Sequence, residues 1–189
     1  MVHGLIPSAE NMPSASSFRP GDIVRGRSGK TVEILNTDAE GRLILGDALA
    51  YATELAPTAI VDLATLTGAC CVALGNNMSG LFSDHERLAR ALVQAGAACA
   101  EEHWRLPLSK RLFEQIKSDV ADIKNLGERW GGAITAALFL QHFSEGLPWA
   151  HLDIAGANRT KTGAAYTPKG TTGVGVRTLL DYLTEGANA

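Results

Sequence analysis

The order of segments along the chain predicts an α/β fold, a three-layer α/β/α sandwich on a central, mixed and mostly parallel sheet. Three observations predict it. Runs that read as strands alternate with runs that read as helices. Residues 59–63 (Ala-Ile-Val-Asp-Leu) are nearly all apolar, as in a strand covered on both faces. Ser28-Gly29, between the strand-like residues 22–27 and 30–35, marks an antiparallel hairpin that makes the sheet mixed.

The elements follow in order. Residues 2–7 are a short apolar run, and residues 10–21 form an irregular, exposed loop with Pro13, Pro20, Gly21 and several serines. In the hairpin's second arm, Thr31-Val32-Glu33-Ile34-Leu35 alternates and is rich in β-branched residues. A helix is expected over residues 43–55, its stripe made by Leu43, Leu45, Leu49 and Ala50 and continuing through Tyr51, stopped by Pro57. Residues 65–68 turn the chain after the 59–63 strand. Ser83, three residues before Glu86, predicts a capping box for a helix reaching about His103. Residues 110–124 are mixed, with Asp119, Asp122 and Lys124 close together. Gly131-Gly132 opens a strongly apolar helix over 133–143, and residues 149–155 alternate as a strand. A polar loop over 158–170 and a closing helix over 173–183 complete a chain expected to form one domain over residues 1–189.

Composition sets the class of partner. A net charge of −3 over 189 residues gives no general attraction for phosphate backbones, so nucleic acid is not implied. No apolar run approaches a membrane span, and the first ten residues lack the pattern of a signal peptide, so the expected address is cytoplasmic. Three cysteines, two of them the neighbours Cys70 and Cys71, make neither a disulfide framework nor a paired-thiolate metal pattern. His85-Glu86 lacks a second histidine four residues on, so the zinc-helix motif is absent, and His3, His103, His142 and His151 read as surface or packed residues.

Chemistry concentrates in residues 36–43, Asn-Thr-Asp-Ala-Glu-Gly-Arg-Leu, between a strand and a helix. Asp38 and Glu40 lie two apart, a spacing that in an extended loop aims two carboxylates at one point where hard divalent cations find ligands. Arg42 adds a fixed positive fork. Two other readings compete with this one. Acids at a helix start complement its dipole and cap it. Asn36, Asp38, Glu40, Gly41 and Asp47 also fall at EF-hand positions, a reading that requires a helix before Asn36. The glycine-rich residues 170–175 lack the Walker spacing, because Lys169 precedes the first glycine.

The octapeptide is followed in order by AIVDLATLTGA, SDVADIKN, GGAITAALFLQ, WAHLDIAG and YTPKGTTGVGVR. Together these resemble the leucyl aminopeptidases, the cytosolic two-metal aminopeptidase family, over essentially the whole chain. The resemblance implies that Asp38 and Glu40 are metal ligands, with Glu40 bridging two divalent ions (manganese, zinc or magnesium). It implies that Arg42 holds a bicarbonate acting as proton acceptor, chemistry that suits a planar guanidinium facing a planar oxyanion. It further implies that the backbone of Thr65, Leu66 and Gly68 meets the amino-terminal residue of a peptide substrate, that Ala157 lines the side-chain pocket, and that the protein is a homo-oligomer, a hexamer in the family. A lysine and two aspartates that complete the family's ligand set, and an oxyanion lysine, have no counterparts here. The chain is therefore expected to correspond to the C-terminal part of the catalytic domain, without the N-terminal domain and the first half of the active site. A non-catalytic module derived from the same family is the alternative.

Overall fold

The computed structural model describes residues 1–163 and 167–185. Ala164, Ala165 and Tyr166, inside the polar loop expected over 158–170, lie outside the described residues, as do residues 186–189. The architecture is mixed α/β, with sheets flanked by helices, and it separates into two compact units: residues 1–60, 109–131 and 135–147 form the first, and residues 61–108, 132–134 and 148–189 the second.

In the first unit, β1 (Ile23–Arg25) and β2 (Thr31–Glu33) form the expected hairpin, antiparallel with Val24 opposite Val32. Gly29 takes φ +84°, the left-handed turn conformation that the Ser-Gly pair predicts. A parallel strand, β6 (Ile123–Lys124), lies on the other side of β2 with Ile123 beside Val32. The hairpin thus belongs to a three-stranded sheet of its own, β1-β2-β6, distinct from the four-stranded sheet of the second unit. α1 runs Gly41–Glu54, and the chain leaves it through Leu55 and Ala56, the latter at φ +48°, just before Pro57.

Its buried face is Arg42, Gly46, Leu49 and Ala50, whereas Leu43 and Leu45 are half-buried and Tyr51 is exposed. The stripe expected from leucine spacing is rotated for a specific reason. Gly46 lets the Phe143 ring come so close that a Cβ there would lie 3.1 Å from it, and Tyr51 remains outside beneath the Arg27 guanidinium, 4.7 Å from its ring centre. Arg27 also makes a two-point pair with Glu54 at 2.8 and 2.9 Å. That bond holds the Glu54 carboxyl below its ordinary range. Val32, Ile34, Ile116, Ile123, Phe139 and Leu140 form the core.

In the second unit the sheet order is β3 (Ile60–Ala64), β7 (Trp149–Asp153), β4 (Ser79–Phe82) and β5 (His103–Arg105). β4 is parallel to β5 and antiparallel to β7, so this sheet is mixed. β7 alternates in sequence yet is buried at all five positions. Two of its polar atoms are tied to β3: Asp62 accepts from Trp149 Nε1 at 2.7 Å and pairs with His151 Nδ1 at 2.6 Å, while His151 Nε2 is buried without a hydrogen-bond partner among the described residues.

The helices of this unit are α2 (Gly68–Leu74), α3 (Glu86–Ala98) and α5 (Val176–Thr184), and α4 (Gly132–Gln141) is the apolar helix expected after Gly131. α3 is shorter than the sequence suggested, because Ala100 at φ +59° turns the chain into β5. Its N-cap is His85, whose Nδ1 accepts from Leu88 N at 3.2 Å. Ser83 is not the cap. Its hydroxyl, buried at the end of β4, donates to the Trp149 carbonyl at 2.6 Å and is therefore committed to the sheet. β8 (Arg159–Thr160) and β9 (Gly170–Thr171) pair antiparallel within the stretch expected to be loop. No helix among the described residues is long and apolar enough to cross a membrane.

Candidate active site

The acidic octapeptide runs from the link after β2 into α1: residues 36–40 lie in the link, and Gly41, Arg42 and Leu43 open the helix two residues earlier than the leucine stripe suggests. Asn36 opens it with an Asx turn, its Oδ1 accepting from Asp38 N at 3.0 Å. Ala39 is buried and anchors the middle of the loop. Asp38 is exposed and Glu40 half-buried. Glu40 stands at the N-cap of α1 in a helical conformation and makes no side-chain cap hydrogen bond. Among the described residues, neither the Asp38 nor the Glu40 carboxylate makes a hydrogen bond or an ion pair. The capping reading of these acids accordingly fails at the hydrogen bond it requires.

Arg42, the second residue of α1, is only 8% exposed. Its Nη1 donates to the Asn125 carbonyl at 2.9 Å, and its guanidinium carbon lies 6.0 Å from the centre of the Phe139 ring. It is held inside the unit and does not reach into bulk solvent. The calcium-loop reading does not survive. The segment entering the loop is strand β2, and Asp47 is spent on a turn, its Oδ1 accepting from Arg27 N at 2.8 Å. Lys30 is likewise committed, donating to Glu145 at 2.6 Å and to the His142 carbonyl at 2.5 Å.

Thr65 and Leu66 lie in the turn between β3 and α2, and Gly68 opens α2, all in the second unit. Thr65 and Gly68 are exposed, and Leu66 is half-buried. A Cβ built at Gly68 would meet no protein atom within 4 Å, so packing inside the chain does not demand a glycine there. The backbone of the turn is fixed by Asp153, fully buried at the end of β7. Asp153 Oδ1 accepts from Leu66 N at 3.1 Å and Ala155 N at 3.2 Å, with Thr67 N at 3.4 Å, and Oδ2 accepts from the Thr67 hydroxyl at 2.6 Å. Thr67 in turn caps α2 by accepting from Cys70 N at 3.0 Å. Ala157 is buried and its carbonyl accepts from Thr172 Oγ1 at 2.7 Å.

Two residues of this arrangement were not singled out by sequence pattern. Asp153 and Asn125 both lie inside quoted motifs, but their roles are long-range hydrogen bonds that no local spacing reveals. Cysteine chemistry is not part of the site: burial pushes the Cys70 thiol up to about 11, and all three thiols are free. Among the described residues no group of three or more His, Cys, Asp and Glu side chains is arranged to hold a metal ion.

Residues 1–180 match the model of the cytosol aminopeptidase family, catalytic domain. The chain belongs to the cytosol aminopeptidase family. It is 57% identical over 187 residues to a probable cytosol aminopeptidase of Desulfovibrio desulfuricans, covering 98% of this chain and 37% of the relative. It is 56% identical over 179 residues to one from Syntrophotalea carbinolica, covering 95% of this chain and 36% of the relative. It therefore spans a little over a third of the length of these curated relatives. Among solved structures, a tomato leucine aminopeptidase mutant superposes with a TM-score of 0.88 at 48% identity, covering 93% of this chain and 34% of that one. The bottromycin maturation enzyme BotP in complex with Mn does so with a TM-score of 0.87 at 44% identity, covering 93% and 40%. Family membership converts the resemblance carried by the octapeptide and the later motifs into a finding.

Proposed function

We propose that the chain carries part of the active site of a metal-dependent aminopeptidase that removes N-terminal residues, leucine among the preferred ones, from peptides by two-metal hydrolysis. All 189 residues are assigned to one C-terminal portion of the family's catalytic domain. The observation that carries the reading is the state of the acidic loop: its backbone is tied down, while the Asp38 and Glu40 carboxylates have no partner among the described residues. Carboxylates held in this way suit a hard divalent cation, and a relative of 44% identity has been solved with Mn. Asp38 and Glu40 are the proposed ligands of manganese, zinc or magnesium, and Glu40 would be shared between two ions. Bound there, the ions supply Lewis-acid polarisation of the scissile carbonyl and of water.

The chain's own residues do the rest. Arg42, buried and pinned at one amino group, offers a fixed guanidinium beside the first turn of α1, where a bicarbonate would accept the proton that water gives up. The backbone of Thr65, Leu66 and Gly68 is the proposed contact for the substrate's amino-terminal residue; because the Leu66 N–H is already given to Asp153, the turn offers carbonyl groups and the open face at Gly68. A cytoplasmic homo-oligomer, a hexamer as the resemblance implies, belongs to the same reading. It is supported by large apolar side chains left exposed, Val176, Leu180 and Leu183 on α5 among them.

The ligand set in this chain is short. Two carboxylates are too few for two dications, which normally receive several each, and the loss of a single oxyanion donor costs roughly a hundredfold to a thousandfold in rate. The 189-residue polypeptide is therefore expected to hydrolyse leucine anilide at or near background in excess manganese, zinc or magnesium. Rapid metal-dependent turnover, abolished in the Asp38→Ala, Glu40→Ala double variant, would show that the chain completes the site from its own residues or from a second copy. The alternative function, a non-catalytic oligomerisation module, requires the same background rate together with no metal binding at the loop.

A further inference from the structure

We infer that Asn125 is the positioning residue of the acidic loop, setting the carboxylates of Asp38 and Glu40 and the guanidinium of Arg42 in one fixed relation. The inference rests on the proposed reading of that loop as a metal and bicarbonate site. Asn125 follows β6 directly and is fully buried. Its backbone N–H donates to the Glu33 carbonyl at 2.9 Å, extending the parallel pairing of β6 with β2 by one residue.

Its side chain then turns toward the strand's exit. Oδ1 accepts from Leu35 N at 2.8 Å, with Asn36 N at 3.3 Å, and Nδ2 donates to the Asn36 carbonyl at 2.7 Å. Its own carbonyl accepts from Arg42 Nη1 at 2.9 Å. One buried residue therefore grips both ends of the octapeptide. At the near end the grip passes on to the ligand loop, since Asn36 Oδ1 accepts from Asp38 N and the Asn36 carbonyl accepts from Ala39 N at 3.3 Å. At the far end it fixes the arginine.

Only a carboxamide of this length performs the side-chain role. Aspartate keeps the acceptor but sets a second oxygen against the Asn36 carbonyl, and alanine leaves buried N–H groups without an acceptor. Supporting hydrogen bonds of this kind set the precision of metal ligands, and their loss typically lowers metal affinity by tenfold or more.

The test is solution NMR on the 189-residue chain, wild type against Asn125→Asp and Asn125→Ala. Leu140→Ala, a core truncation in the same unit, serves as a control for general destabilisation. The readouts are amide exchange at residues 35–39, the Arg42 Nε–H resonance, and line broadening at residues 38–41 on titration with Mn²⁺. In both Asn125 variants, exchange at Leu35 and Asn36 should quicken about tenfold or more beyond the control, with a displaced Arg42 resonance and weaker Mn²⁺ broadening. Local exchange and an Arg42 signal no different from those of Leu140→Ala would overturn the inference, as would failure of both Asn125 variants to fold while the control folds. Absence of Mn²⁺ broadening in the wild type would remove the metal reading instead, with the exchange and Arg42 readouts still deciding the role of Asn125.

Discussion

Replacing Glu101 by alanine is expected to lower the stability of the chain by about 3–5 kcal/mol, judged from several hydrogen bonds to one buried charge at roughly 1.5–3 kcal/mol each and not fully additive. Glu101 is only 4% exposed. Its Oε2 accepts from Gly175 N and Thr178 N, both at 3.0 Å, and from the Thr178 hydroxyl at 2.7 Å. These N–H groups lie at the start of α5, whose own N-cap, Gly175, has no side chain to offer. A carboxylate from the turn between α3 and β5 thus caps this helix and faces the positive end of its dipole.

Arg177 adds an ion pair at 3.3 Å. Because an ionised carboxylate only accepts, the Thr178 hydroxyl donates to Glu101 and receives a hydrogen bond from His103 Nε2 at 2.7 Å, which fixes the neutral tautomer of that ring. Burial holds the His103 pKa below its ordinary value and outweighs the neighbouring carboxylate. Urea unfolding read by far-UV circular dichroism at pH 7.5 checks the prediction, and Glu101→Gln, which keeps one acceptor, should lose about half as much. A loss under 1 kcal/mol for Glu101→Ala would mean that α5 is held by its apolar contacts alone.

Asp153→Ala should have the second largest effect, about 2–4 kcal/mol, because it removes one group that satisfies three backbone N–H donors and a buried hydroxyl. The damage should be local as well as global. Leu66 N and Thr67 N lose their acceptor, Thr67 loses the partner that orients it, and the cap on α2 at Cys70 N weakens with it. Amide exchange at Leu66, Thr67 and Cys70 should accelerate more than exchange in β4, and Asp153→Asn should fall between wild type and alanine. Uniform acceleration across the unit would contradict the assignment of Asp153 to the turn.

Much of this was legible in the sequence because it is local. The β1–β2 hairpin follows from alternation around Ser-Gly, β3 from a run apolar at all but Asp62, and the end of α1 from Pro57. Asp38, Glu40 and Arg42 were legible as a linear motif with family-wide similarity behind it. What stayed hidden is long-range. β6 is two residues long and pairs with β2 across some ninety positions, so no periodicity announces it or the separate sheet it completes. Ser83 has the spacing of a capping box, yet its hydroxyl is worth more to the Trp149 carbonyl, and His85 takes its place. Glu101, Asn125 and Asp153 look like ordinary polar residues until the fold buries each against the backbone it serves.

The central claim, that Asp38 and Glu40 form a cation site on a loop held open for it, is tested most directly by Mn²⁺ titration of the isotope-labelled chain. The account predicts broadening centred on residues 38–41 at low stoichiometry, reversed by chelation and lost in the Asp38→Ala, Glu40→Ala double variant. Broadening spread over surface acids such as Glu10, Asp84 and Glu128, and unchanged by the double variant, would contradict it.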